Sequence, residues 1–235
     1  MKDGRKSLIV ALDLADAEKA RALVHQLGDT VTFYKVGKEL FTAVGPSIVR
    51  ELVADGKKVF LDLKFHDIPN TVAAAVRTAS ALGVSLLTVH ASGGSKMLQA
   101  AAEAAAQSAT RPTVLAVTVL TSLAAPDLEE IGISGSVEAQ VLRLARLAIH
   151  AGCGGIVASA QEASPLRQQL GDAFTLVTPG IRPDGGIAAD QARVVTPELA
   201  IRAGADYLVV GRPITAADHP KAAARTILYQ IERAL

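Results

Sequence analysis

The segment FLDLKFHDIPNTV, residues 60–72, sets Asp62, Lys64, His66 and Asp67 directly behind the apolar run Val59-Phe60-Leu61. A run that reads as a buried strand therefore ends in an ammonium flanked by two carboxylates. Opposite charge on both sides favours the protonated form of Lys64. Such a group is a fixed positive charge that also carries a proton, which suits it to stabilising negative charge as it develops on a reacting molecule. A strand period of two residues puts Asp62 and Lys64 on one face and Leu61 and Leu63 on the other.

Plainer explanations compete. Asp62 and Lys64 could form a structural ion pair, costly to bury unless further groups complete it; Lys35 in TFYKVG and Asp13 in ALDL stand ready to do so. Asp67 could favour the start of the following helix as a capping or dipole partner, with Pro69 in its first turn. Asp13, Asp62, His66 and Asp67 could offer ligands to a divalent cation. The two lysines argue against a metal, because an ammonium competes for the carboxylates that a cation would need.

A second constellation lies in TPGIRPDGG and, further on, ELAIRAGADYLVVGRPIT, within residues 178–215. It joins a Gly- and Pro-rich loop carrying Arg182 to Gly211 and Arg212. Backbone N–H groups and a planar guanidinium at such a place suit a phosphate, and a long loop there suits closure over a ligand. The remaining candidates carry less. His25, His150 and His219 sit in helical or terminal stretches, and Cys153 in HAGCGG has no activating partner in view and reads as a small buried hydrophobe.

These residues need elements to hold them. Short β-branched runs recur at residues 7–14, 32–37, 58–64, 85–91, 113–120, 155–160, 175–180 and 207–212. Between them, residues 16–28, 71–83, 93–107, 136–152 and 196–205 have helical character, with Gly28, Gly83, Gly152 and Gly204 placed as C-caps. Alternation of this kind over residues 1–235 points to one domain, a single α/β (β/α)₈ TIM barrel, rather than to a doubly wound sheet. A barrel predicts functional residues at the C-terminal ends of its strands. Asp13, Lys35, Asp62, Lys64, His90 and Arg212 all fall at those ends.

Composition narrows the function classes. With Lys+Arg 24 against Asp+Glu 23 the formal charge is +1, which gives no general field for nucleic acid or an acidic membrane. Half of the residues are hydrophobic yet 3% are aromatic, so the core must be built from Val, Leu, Ile and Ala. One cysteine permits no internal disulfide, and no apolar stretch reaches the roughly 18 residues of a membrane span. The expectation is a cytoplasmic protein that holds any anionic ligand locally.

At this point the residues resemble a known family. VFLDLKFHDIPNTV follows the D-x-K-x-x-D-[IV]-x-x-T signature of the orotidine 5′-monophosphate decarboxylases at Asp62, Lys64, Asp67, Ile68 and Thr71. Asp13, Lys35, Arg182 in TPGIRP, Gln191, and Gly211 with Arg212 in VVGRPI follow in the family's order. The resemblance implies removal of CO₂ from orotidine 5′-monophosphate to give UMP in pyrimidine nucleotide synthesis, with no cofactor and no metal. It also implies a homodimer in which Asp67, Ile68 and Thr71 reach the neighbouring site. Lys35, Asp62, Lys64 and the partner's copy of Asp67 would form the catalytic group. Asp13 and Lys35 would bind ribose, Thr121 and Ser122 the nucleotide, and Pro179, Arg182, Gln191, Gly211 and Arg212 the phosphate and base. Two rival readings are a sugar-phosphate decarboxylase or synthase using Mg²⁺ on the same barrel, and a nucleotide-binding barrel without activity.

Overall fold

The computed structural model describes residues 3–183 and 195–235. Its strands β1 (Leu8–Ala11), β2 (Phe33–Gly37), β3 (Lys58–Phe65), β4 (Leu86–His90), β5 (Thr113–Val117), β6 (Gly155–Val157), β7 (Thr175–Thr178) and β8 (Tyr207–Val210) pair in chain order. All pairs are parallel, and β8 returns to β1 through Leu8↔Leu208 to Val10↔Val210, closing the barrel. The (β/α)₈ barrel expected from the alternation is therefore what the chain forms, and a doubly wound sheet is not.

The helices are α1 (Ala17–Leu27), α2 (Lys38–Val44), α3 (Ser47–Ala54), α4 (Pro69–Ser80), α5 (Gly94–Ala106), α6 (Ala125–Glu130), α7 (Val137–His150), α8 (Ala160–Leu170), α9 (Pro197–Arg202), α10 (Arg212–Thr215) and α11 (Pro220–Glu232). Five of these match the helical stretches read from sequence: α1, α4, α5, α7 and α9. The others escape for local reasons. Gly45-Pro46 divides α2 from α3, and Pro165 interrupts the pattern within α8. The expected strand at 155–160 stops at Val157 because Ser159 and Glu162 form a capping box that starts α8 instead. Gly28 caps α1 at φ 52, donating its N–H to the Val24 carbonyl, and Gly83, Gly152 and Gly204 lie two or three residues past α4, α7 and α9, also at positive φ.

Side-chain alternation on the strands makes two cores. Ile9, Ala11, Phe33, Phe60, Leu86, Leu115, Val177 and Val209 fill the barrel interior, while the opposite faces pack against the helices in a larger cluster. Burying each large aliphatic or aromatic side chain contributes about 1.5–3 kcal/mol. Gly155 makes room inside: a β-carbon there would lie 2.6 Å from Leu115 Cδ2 and 2.4 Å from the Thr175 carbonyl. One layer further along the same strand faces the residues turn polar, with Lys35 beyond Phe33, Asp62 beyond Phe60 and Thr88 beyond Leu86. Apolar packing thus supplies a floor, and the polar layer above it faces the C-terminal mouth.

At the other end, Arg167 of α8 fastens the strands that follow it. Its guanidinium donates to the Gly204 carbonyl (3.0 Å), the Phe174 carbonyl (2.9 Å) and Asp206 Oδ2 (2.7 Å), and lies over the Phe174 ring. These bonds fix the starts of β7 and β8. Among the described residues no helix is long and apolar enough to cross a membrane.

Candidate active site

β3 departs from regular pairing where the chemistry is densest. Leu61 pairs with Leu87 and Phe65 with Val89, so two extra residues of β3 are accommodated in between. Lys64 sits in this bulge at φ 53, a left-handed backbone conformation unusual for a residue with a side chain. The alternation read from sequence survives the bulge. Phe60, Asp62 and Lys64 face inward, whereas Leu61, Leu63 and Phe65 pack against the outer core.

The charged side chains bond to one another in series. Lys64 Nζ donates to both oxygens of Asp62, at 2.8 and 2.9 Å. Lys35 Nζ, from β2, donates to Asp13 Oδ1 at 2.7 Å and stands 3.6 Å from Asp62 Oδ2. Thr88 of β4 donates to Asp62 Oδ1 at 3.0 Å. The side chains of Asp62 and Lys35 are 12% and 11% exposed, so this is an interior arrangement; that of Asp13 is 54% exposed and lies at the rim. Burial pushes the Asp62 carboxyl up, but the charges of Lys64 and Lys35 and the hydrogen bonds from Lys64 and Thr88 outweigh it and hold the group below the usual carboxylate range. Gly37 leaves room beside them: a β-carbon there would come within 2.8 Å of Lys35 Nζ and 3.1 Å of Asp13 Oδ1, so the ends of these two side chains would have to shift.

This network forms one wall of a cavity of about 470 Å³ at the C-terminal mouth. Of the sequence candidates, Asp13, Lys35, Asp62, Lys64, Thr121, Pro179, Arg182, Gly211 and Arg212 line it together. Arg182 N–H donates to the Val195 carbonyl at 3.1 Å, and Ile181 bridges to Val195, which joins the described chain on either side of residues 184–194. Gly211 immediately precedes α10, which begins at Arg212. Ser122 does not line the cavity, and Gln191 lies outside the described residues.

Asp67, Ile68 and Thr71 stand apart from their own cavity and are exposed, Ile68 to 66%. The capping role open to Asp67 is not what forms: Ile68 occupies the cap position of α4, Pro69 opens the helix, and Asp67 Oδ1 accepts a 2.6 Å bond from the adjoining Ile68 N–H. His90 reaches the end of β4 without lining the cavity. Its ring stands 5.5 Å from that of His66, and burial first, then the nearby His66, Lys64 and Lys38, lowers its pKa against the opposing pull of Asp62. Cys153 is buried and its thiol is pushed up to about 12, which removes it as a nucleophile. Among the described residues no group of three or more His, Cys, Asp and Glu side chains converges to hold a metal.

Sequence reasoning missed Thr88, Gly37 and the apolar wall of Val117, Val119, Leu120, Val157, Ala158 and Val209. A threonine two residues before His90 on an alternating strand was the available signal for the first. The apolar wall carried no signal distinct from core.

Comparison with known proteins spans nearly the whole barrel. Residues 6–227 match the model of the Orotidine 5′-phosphate decarboxylase / HUMPS family. A protein of Idiomarina loihiensis named orotidine 5′-phosphate decarboxylase is 55% identical over 224 residues, covering 95% of this chain and 97% of the relative. One of Nitrosococcus oceani with the same name is 53% identical over 227 residues, covering 97% and 98%. The crystal structure of orotidine 5′-phosphate decarboxylase from Lactobacillus acidophilus superposes with a TM-score of 0.86 at 40% identity, covering 96% of this chain and 99% of that one.

Proposed function

The chain belongs to the Orotidine 5′-phosphate decarboxylase / HUMPS family and is a carboxy-lyase of the decarboxylase type, and we propose that it works without metal or cofactor, through a C6 carbanion stabilised and protonated by Lys64. The substrate is orotidine 5′-monophosphate and the reaction serves pyrimidine biosynthesis. When the bond from C6 to the carboxylate breaks, the electron pair stays on C6 in the plane of the ring, where the π-system cannot spread it. CO₂ leaves, and the Lys64 ammonium gives a proton to C6 to form UMP.

The observation that carries this reading is the placement of Lys64 Nζ at the cavity wall, held 2.8 and 2.9 Å from the two oxygens of Asp62. A charge fixed before the reaction need not reorganise as negative charge develops, and away from bulk water its attraction is larger. Asp62 has the task of holding Lys64 charged and aimed. In this reading Lys35 and Asp13 bind the ribose, with Thr121 on the same cavity, and Arg182, Gly211, Arg212 and Pro179, which also line it, take the phosphate. Gln191 completes the nucleotide contacts on family grounds, and the same grounds assign a contact to Ser122, although it does not line the cavity. Remote binding of that phosphate can be expressed in the transition state rather than in the ground state.

Asp67, Ile68 and Thr71 serve the neighbouring subunit of a homodimer in this reading; their exposure and their absence from their own cavity support it. Mixing Lys64→Ala with Asp67→Ala protein would then restore about a quarter of the parental sites by random re-pairing. No recovery on mixing would remove the shared site.

The direct test follows the loss of orotidine 5′-monophosphate absorbance in the presence of EDTA. Parent turnover that falls by ~10³-fold or more in folded Lys64→Ala is the expected result. Turnover abolished by EDTA, or retained in the variant, would overturn the lysine mechanism.

A further inference from the structure

Thr88 is fully buried on β4, opposite the bulge that holds Lys64. Its hydroxyl accepts from the Lys64 backbone N–H at 2.9 Å and donates to Asp62 Oδ1 at 3.0 Å. The polarity of both bonds is fixed by their partners. An amide can only donate, and an ionised carboxylate can only accept. The bulge has displaced the Lys64 N–H from the regular ladder, and Lys64 occupies a left-handed conformation at φ 53. One hydroxyl therefore meets a displaced backbone donor and a buried carboxylate at the same time.

We propose that Thr88 is a positioning residue for the decarboxylation: it pins the β3 bulge and Asp62 to each other, and so sets the direction in which Lys64 Nζ presents its charge and proton. The proposal rests on the reading of the site given above. Thr88 does not line the cavity, whereas Asp62 and Lys64 do, so its influence on substrate passes through those two side chains. Asp62 faces Lys64 from its own strand and Lys35 from β2, with Asp13 bonded to Lys35 at the rim. Removing the Thr88 hydroxyl leaves these charges present. It takes away what is, among the described residues, the one neutral donor to Asp62, and with it the partner of the Lys64 N–H, which lets the ammonium and carboxylate rotate together. A misplacement of about 1 Å in a reacting group lowers rates by about 10²-fold without needing a new contact to substrate.

The experiment compares the full-length parent with Thr88→Val, which keeps the shape and loses the hydroxyl, and Thr88→Ser, which keeps the hydroxyl. Two readouts are taken: kcat and KM for orotidine 5′-monophosphate, and titration of the Asp62 carboxyl carbon by NMR without ligand. In Thr88→Val we expect kcat to fall about 10- to 100-fold with KM within about threefold of the parent, and the Asp62 titration to move to higher pH. Thr88→Ser should recover both. A structural role alone would lower thermal stability without the split between kcat and KM or the carboxyl shift. Parental kcat in folded Thr88→Val, an unmoved Asp62 titration, or a serine variant as impaired as the valine one would each overturn the proposal. If the valine variant does not fold, Thr88→Ala is read by the same criteria. A parent that fails to decarboxylate, with an Asp62 titration that still shifts in Thr88→Val, would defeat the functional reading and leave the hydroxyl's hold on Asp62 standing.

Discussion

Across β1 to β4 the mouth of the barrel is walled by charged side chains that bond to one another, Asp13 to Lys35, Lys35 toward Asp62 and Asp62 to Lys64, with Thr88 buried behind the wall and bonded to Asp62. Across β5 to β8 the wall is apolar at its base, through Val117, Val157 and Val209, and becomes polar at Pro179 to Arg182 and at Gly211 and Arg212. The first half holds its charges in place through neighbours on four adjacent strands. The second places its cations beyond the strands, on chain that follows β7 and β8. Groups that meet developing charge gain from being fixed beforehand, whereas groups that take a phosphate can bring remote binding energy to bear as a loop closes. In the function proposed above, the division of the mouth follows that difference in task.

The sharpest way to break the comparison is to remove one cation from each half. Lys64→Ala should abolish turnover to the extent given above while leaving affinity for the product UMP within a few-fold of the parent, because UMP carries no carbanion. Arg212→Ala should do the reverse, weakening UMP and lowering kcat/KM by about 10- to 100-fold, the loss expected for hydrogen bonds to a charged group. Calorimetric titration with UMP measures both. If Lys64→Ala weakened UMP as much as Arg212→Ala does, the two halves would not be divided between chemistry and binding.

The same contrast explains what was legible before the structure. The β1–β4 half announces itself because its function resides in side chains at strand ends: Asp13, Lys35, Asp62 and Lys64 are ionisable residues where an interior strand should end, and all four meet in one cavity. The barrel was legible for a related reason, since eight β-branched runs separated by helical stretches leave few closed arrangements. What the sequence hid depends on backbone. Nothing in LDLKFHD reveals that Lys64 adopts φ 53 or that two residues are inserted against β4, and without the bulge Thr88 has no displaced N–H to meet. Gly37 was equally silent, because its importance is the 2.8 Å that a β-carbon would leave to Lys35 Nζ. The strand expected through residue 160 was shortened by the Ser159 and Glu162 cap, a signal that was present in SAQE but competed with a β-branched run.

A smaller effect sharpens the picture of the charged half. His90 continues the inward face of β4 beyond Thr88 and stands against His66, within the field of Lys64 and Lys38. Burial and those neighbours lower its pKa in the folded protein below the ordinary 6.5, with Asp62 opposing them. The unfolded chain then binds a proton at His90 more readily than the folded chain does. By linkage, stability rises with pH across the interval between the two values and is lost as pH falls below about 6.5. The first physical reason is burial, which disfavours the charged ring, and crowding of like charge adds to it: a protonated His90 would place a cation beside His66, Lys64 and Lys38. Urea unfolding of the parent and His90→Asn between pH 7.5 and pH 5, at about those limits for a histidine, reads the difference. The parent should lose more stability than the variant on acidification, by an amount small beside the effects of Lys64 or Arg212, since one half-buried ring is involved. Parallel pH profiles would show that the charged half tolerates a further proton at β4, and that its arrangement is set by the hydrogen bonds to Asp62 rather than by the balance of charge around it.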